Sequence, residues 1–301
     1  MLLIDVFTNN ILPAFILIGF GALLDRLYHL DLRSISRMNL YILVPCLIFT
    51  SLVQSNLGEG DFEKIFLFVF AISIIMCLIS WGIARLLRLD RTLENAFILS
   101  TVFLNAGNYG LAINKFAFGQ AGLERALVFF VGSSIVLNTL GVYFASRGRA
   151  DVVQSILNIF RLPPVYAVAL ALLLRSVGWG VPEPIFKALS LGGQAAVPCM
   201  LLILGMQLSR SALRDNLPLV ALASFVKLVV MAGLAICLAA LIGLEGLARQ
   251  VCIVEASTPT AVTAILLAIE FEAEPKFVTS GVFLSTVLSA FSITFLIAFI
   301  S

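Results

Sequence analysis

The stretch LNAGNYGLAIN, Leu104 to Asn114, puts three Asn and two Gly in the middle of a long apolar segment. A Gly pair three apart with Asn between them weakens helix propagation, because Gly is flexible and Asn offers its own hydrogen bonds to freed backbone groups. In the second half of the chain EASTPTAV, Glu255 to Val262, interrupts another apolar segment. Pro259 cannot donate, which leaves the carbonyl of Glu255 without its helical partner. Unwound backbone at membrane depth is tolerated only where it is buried in protein or lines a cavity. The two interruptions, Gly107 to Gly110 and Ser257 to Thr260, are offset by 150 residues and predict a binding site between them.

The surrounding chain is suited to lipid. Of 301 residues 61% are hydrophobic and 12% charged, and the mean hydropathy is +1.09, far from the composition of soluble domains. The net charge of +2, from 19 basic and 17 acidic side chains, supports no nucleic-acid partner. The start MLLIDVFTNN lacks the basic region of a cleavable signal, so the first apolar run is expected to be a retained span. Runs of about 20 residues are needed to cross the hydrocarbon core. Ten are expected, centred near residues 17, 44, 75, 105, 133, 166, 197, 230, 258 and 288. Eleven Lys and Arg fall in the loops of one side and six on the other, which predicts a multi-pass protein of the cytoplasmic membrane with both termini outside.

Two further landmarks recur with the interruptions. Pro13 in ILPAF matches Pro163 in RLPPV at an offset of 150, and Pro45-Cys46 in LVPCLI matches Pro198-Cys199 in AVPCML at 153. Three landmarks in register predict an all-α polytopic protein made of two five-helix repeats, 1–150 and 151–301. An odd number of spans inverts the second copy, and inverted repeats with broken helices are a mark of secondary transporters.

The half-helices expected to begin near Leu111 and Ala261 would aim free N–H groups at the midplane, which suits an anion such as a carboxylate. Asn105, Asn108, Thr258 and Thr260 add neutral donors and acceptors, Tyr109 a flat wall with a polar tip, and Gly107, Gly110 and Pro259 the backbone breaks themselves. The competing reading makes GNYG a small-residue packing surface. Two ionisable groups lie deep, Lys227 and Glu255; Glu255 sits roughly 12 Å into its span at 1.5 Å per residue. Glu255 is read either as a proton or sodium ligand or as the ion-pair partner of Lys227, and Lys227 alternatively as the counter-charge of the substrate.

These residues resemble the auxin efflux carrier family, which includes plant PIN proteins and bacterial carriers of malonate or malate type, within the bile acid/auxin/arsenite transporter group. The resemblance covers essentially the whole chain, and its most specific pieces are NAGNYGLAI and STPTAVTAILLA. It implies broken, crossing helices 4 and 9, and a scaffold of helices 1, 2, 6 and 7. It implies also a mobile unit of helices 3–5 and 8–10, a homodimer and elevator-type motion. It places Asn108 and Pro259 at the crossover against a substrate carboxylate. Two departures stand out: Gly110 occupies the position of a usual crossover proline, and the central loop SRGRAD is very short. Related bile-acid-type symporters use sodium next to the same crossover, whereas the plant carriers need no driving ion.

A channel and a sodium-coupled symporter of bile-acid-like anions are the alternatives to an organic-anion carrier. An enzyme is not expected. The one histidine, His29, lies beside Asp25 and Asp31 in a loop, and Cys46, Cys77, Cys199, Cys237 and Cys252 form no close-spaced pair, so no catalytic, metal or cofactor site is indicated.

Overall fold

The computed structural model describes residues 2–55, 59–146, 162–211 and 216–300. They form eleven helices: α1 Leu2–Tyr28, α2 Leu32–Val53, α3 Glu59–Leu86, α4 Arg91–Val102, α5 Ala106–Ala145, α6 Pro163–Val177, α7 Glu183–Ser209, α8 Leu217–Ile242, α9 Gly246–Ala256, α10 Thr263–Glu270 and α11 Pro275–Ile300. Seven of them, α1, α2, α3, α5, α7, α8 and α11, are long and apolar enough to cross a membrane. The expected fourth and ninth spans are instead pairs of shorter helices, α4 with the start of α5 and α9 with α10. The expected sixth is the 15-residue α6. Residues 147–161, which carry most of the central loop and the boundary expected at 150/151, lie outside the described residues.

Proline shapes the first two helices. Its ring lacks a donor and clashes with the carbonyl one turn back, so the helix widens there. A π-turn at Phe7–Ile11 precedes Pro13, and another at Asn39–Leu43 precedes Pro45. Residue Gly119, at φ 66° and ψ −155°, kinks α5 in a conformation that glycine adopts readily.

The helices pack in two sets. In the first, α7 lies along α1 and α2, and α6 lies on α2; in the second, α5 packs against α3 and α9, and α8 against α9 and α11. The α1–α7 contact is made backbone to backbone. A Cβ on Gly21 would lie 2.1 Å from the Leu202 carbonyl oxygen, and one on Gly205 only 1.9 Å from that of Ile18, the close approach small residues permit in membranes. One end of the pair is tied by Arg210, which binds the Asp25 carboxylate at 2.5 Å and the Leu30 carbonyl at 2.7 Å. Large apolar side chains such as Phe20, Tyr166, Leu173, Phe291 and Phe295 cover the outside, as expected of surfaces that meet lipid.

Candidate functional site

Helix α4 starts at Asp90, whose carboxylate accepts from the Thr92 and Leu93 amides at 2.9 and 3.0 Å, and it ends at Val102 because Phe103 is extended at φ −82°, ψ 135°. Helix α9 ends at Ala256, three residues before Pro259. The two unwound stretches then satisfy each other. The Asn105 amide donates to the Pro259 carbonyl at 2.9 Å and the Ala261 amide to the Phe103 carbonyl at 3.0 Å, an antiparallel bridge of Leu104 with Thr260.

The remaining helix-end carbonyls take side-chain donors, as groups without water require. Thr260 Oγ1 donates to the Ser100 carbonyl at 2.6 Å, and Ser257 Oγ to that of Ile253 at 2.7 Å. Lys227 Nζ donates to the Val102 carbonyl at 3.3 Å. This buried donor ties α8 to the carboxyl end of α4. Lys227 is therefore a cap. It forms no ion pair with Glu255 within 4 Å and does not line the cavity described below.

Two expectations are corrected by this geometry. The first break falls at Phe103–Asn105, one turn before the Gly pair, and Gly107 and Gly110 belong to the π-turn Ala106–Gly110 that opens α5. Here glycine gives room. The Phe130 ring would stand 2.7 Å from a Cβ on Gly107, and the Glu255 carboxyl 2.1 Å from one on Gly110. Second, the Glu255 carbonyl is not left free by Pro259. The chain tightens after α9, and the Thr258 amide and hydroxyl reach that carbonyl at 3.1 and 2.7 Å.

A cavity of about 330 Å³ lies beside the bridge, between α2, α5, α7 and α10. The first turns of both half-helices line it, through Asn105, Gly107 and Asn108 on one side and Ala261 and Thr263 on the other. Asn39 of α2, Asn138 of α5 and Gln207 of α7 add amides, and Leu104, Phe130, Met200 and Ile203 an apolar wall. No charged side chain is among the described lining residues. Asn39, Asn105 and Gln207 each keep a buried polar atom without a partner among the described residues, so the wall has hydrogen bonds to offer.

The other expected residues stand behind the cavity. Tyr109 is fully buried, its hydroxyl accepting from Ser289 at 3.1 Å and its ring edge-on to Phe15 at 6.2 Å. Thr258, Pro259 and Thr260 are buried in the bridge, and Gly110 faces Glu255. That carboxyl is fully buried; Oε1 accepts from Asn114 Nδ2 at 3.0 Å, while Oε2 and Asn114 Oδ1 have no partner among the described residues. Sequence reasoning does not single out Asn39, Asn138, Gln207 or Asn114. Asn114 ends the opening stretch, and Asn39 is a lone amide shortly before Pro45; an inventory of amides inside apolar runs would find them.

A polytopic helical membrane protein whose two interrupted helices meet beside a polar cavity belongs to the class of membrane transporters. The family model described as "Membrane transport protein" matches residues 7–297, so the chain belongs to that family, the one of the auxin efflux carriers. It is 28% identical over 292 residues to an uncharacterized transporter of Methanothermobacter thermautotrophicus, covering 95% of this chain and 96% of the relative. A second uncharacterized transporter, from Methanocaldococcus jannaschii, is 26% identical over 265 residues, 85% of this chain and 86% of the relative.

Proposed function

We propose that the protein is a secondary, elevator-type carrier that moves a small carboxylate across the cytoplasmic membrane, with the cavity at the bridge as its substrate site. The observation that carries this reading is that the first turns of two half-helices line one cavity together. Helix starts present unsatisfied N–H groups and positive dipole ends, so the pair suits an anion without any Lys or Arg in the wall. The neutral amides of Asn105 and Asn108 orient the carboxylate; Thr258, Pro259 and Thr260 hold the bridge that positions it. In this reading the ten spans form two inverted repeats with crossing fourth and ninth helices. The α1, α2, α6 and α7 set is the scaffold, the remaining helices move, both termini lie outside, and the protein works as a homodimer.

Glu255 is the proposed coupling group. Its unpartnered Oε2 and the unpartnered Asn114 Oδ1 belong to one buried hydrogen-bonded pair, and oxygen atoms in that state suit a proton or a sodium ion. The test is charge movement in proteoliposomes on a solid support, challenged with malonate, malate and indole-3-acetate, with and without sodium and at two pH values. Wild-type protein should give a saturable response that depends on one cation, and Glu255→Gln should respond without that dependence. A response that rises linearly with concentration would favour a channel, and unchanged cation dependence in Glu255→Gln would remove the coupling role.

A further inference from the structure

A second cavity, of about 180 Å³, lies between three of the elements that line the first, α2, α5 and α7. Along α2 the first cavity uses residues Ser36 to Val44 and the second Leu47 to Gln54; along α7 the first uses Met200 to Gln207 and the second Phe186 to Gln194. Because α2 and α7 run in opposite senses past both, the cavities sit toward opposite ends of the helix pair, about 15 to 20 Å apart at 1.5 Å per residue. Between them lie the two Pro-Cys pairs, Pro45-Cys46 and Pro198-Cys199.

The chemistry of the two walls differs. Among the described residues the second cavity carries one charged side chain, Lys115, on the turn of α5 just beyond Asn114, together with the amides of Gln54, Gln120 and Gln194. Lys115 has no carboxylate within 4 Å among the described residues, so its charge is not neutralised by an ion pair. Gln120 donates to Ser51 Oγ at 3.3 Å, which links α5 to α2 across the cavity. An unpaired ammonium among neutral amides, in a recess the size of a few water molecules, is complementary to a small anion.

We infer that this second cavity is an anion-binding vestibule on the opposite side of the two Pro-Cys pairs from the substrate cavity, and that Lys115 is the charge that receives the carboxylate there. The inference deepens the carrier reading and rests on it for the identity of the anion. The two half-helix starts hold the carboxylate in the first cavity, and Lys115 meets it at the other end of the path. Lys115 is only partly buried, so it attracts the anion without the cost of a second fully buried ion.

The test reads the site without transport. Ser190→Cys, a near-isosteric change in the wall of the second cavity, is labelled with an anionic sulfonate and with a cationic trimethylammonium methanethiosulfonate, and modification is quantified on the peptide that carries position 190. The ratio of anionic to cationic labelling rates should be about ten-fold higher with Lys115 than with Lys115→Gln, the effect of one unit charge a few ångströms away. Lys115→Arg should keep the high ratio. Millimolar malonate should slow labelling with Lys115 present and not with Lys115→Gln. Equal ratios in all three backgrounds, malonate protection that survives Lys115→Gln, or a Ser190→Cys protein inert to both reagents would each overturn the vestibule. None of these results touches the carrier reading, which is decided by substrate counterflow.

Discussion

Gly205→Ala is expected to be among the most damaging single-methyl additions in the protein. The new Cβ would lie 1.9 Å from the Ile18 carbonyl oxygen and 2.8 Å from the Ala22 nitrogen, and both are backbone atoms of α1. No rotamer change can relieve such a contact; the two helix axes must separate. Separation would also loosen the reciprocal contact of Gly21 with Leu202 and the Arg210–Asp25 tie. Overpacking a core typically costs about 1 to 3 kcal/mol where side chains can yield, and more is expected where backbone must move. The expected result is a thermal midpoint in detergent lowered by several degrees or a loss of monodisperse protein. Gly233→Ala, at a glycine of α8 with nothing within 4 Å of an added Cβ, should change little. Equal stability of the two variants would contradict the tight α1–α7 seam.

The second large effect is expected at Gly110. A Cβ there would meet Glu255 Oε2 at 2.1 Å and Cδ at 2.6 Å. The carboxyl can be displaced only by breaking its hydrogen bond from Asn114 in a fully buried setting, so Gly110→Ala should cost about 2 to 4 kcal/mol. Because the obstacle is one side chain, the loss should be largely recovered in the Gly110→Ala/Glu255→Ala double variant, with a coupling of about 1 to 3 kcal/mol in the cycle. Additive costs would mean that Glu255 does not occupy the space at Gly110. The glycine that departs from the family pattern thus has a physical partner: a residue with a side chain at 110 and an inward Glu255 exclude one another.

The existence of the two interruptions is legible in the sequence, since an Asn-Gly cluster and a lone proline are local signals that need no tertiary information. Their positions are less so. The first break lies at Phe103–Asn105, because the bridge to Pro259 and Ala261 rewards extended backbone there, and those partners stand in the other half of the chain. Gly107 and Gly110 look like helix breakers in isolation, yet in the structure they admit Phe130 and Glu255. Lys227 and Glu255 are recognisable as deep charges from hydropathy alone. That Lys227 caps α4 while Glu255 meets Asn114 depends on which helices face each other, and periodicity does not report this. The same limit hides Asn39, Asn138 and Gln207, three amides from distant helices that converge on one cavity. Tyr109 shows the converse error. Its place beside Asn108 suggests a wall of the site, but neighbours on a helix point in different directions, and its ring is buried against Phe15.

Asn108 lines the cavity at the first turn of α5, and its amide has no hydrogen-bond partner among the described residues. Removing that amide should therefore spare the fold and weaken only the bound anion. The most direct measurement is the half-saturation concentration of malonate, malate or indole-3-acetate, whichever is transported, in counterflow by wild-type and Asn108→Ala proteoliposomes. With the substrate at the bridge, the expected result is a rise of about ten- to a hundred-fold, the worth of about 1.5 to 3 kcal/mol for one hydrogen bond to a charged group, with wild-type stability. Saturable counterflow with an unchanged half-saturation concentration in Asn108→Ala would contradict the placement of the substrate at the bridge of the two broken helices.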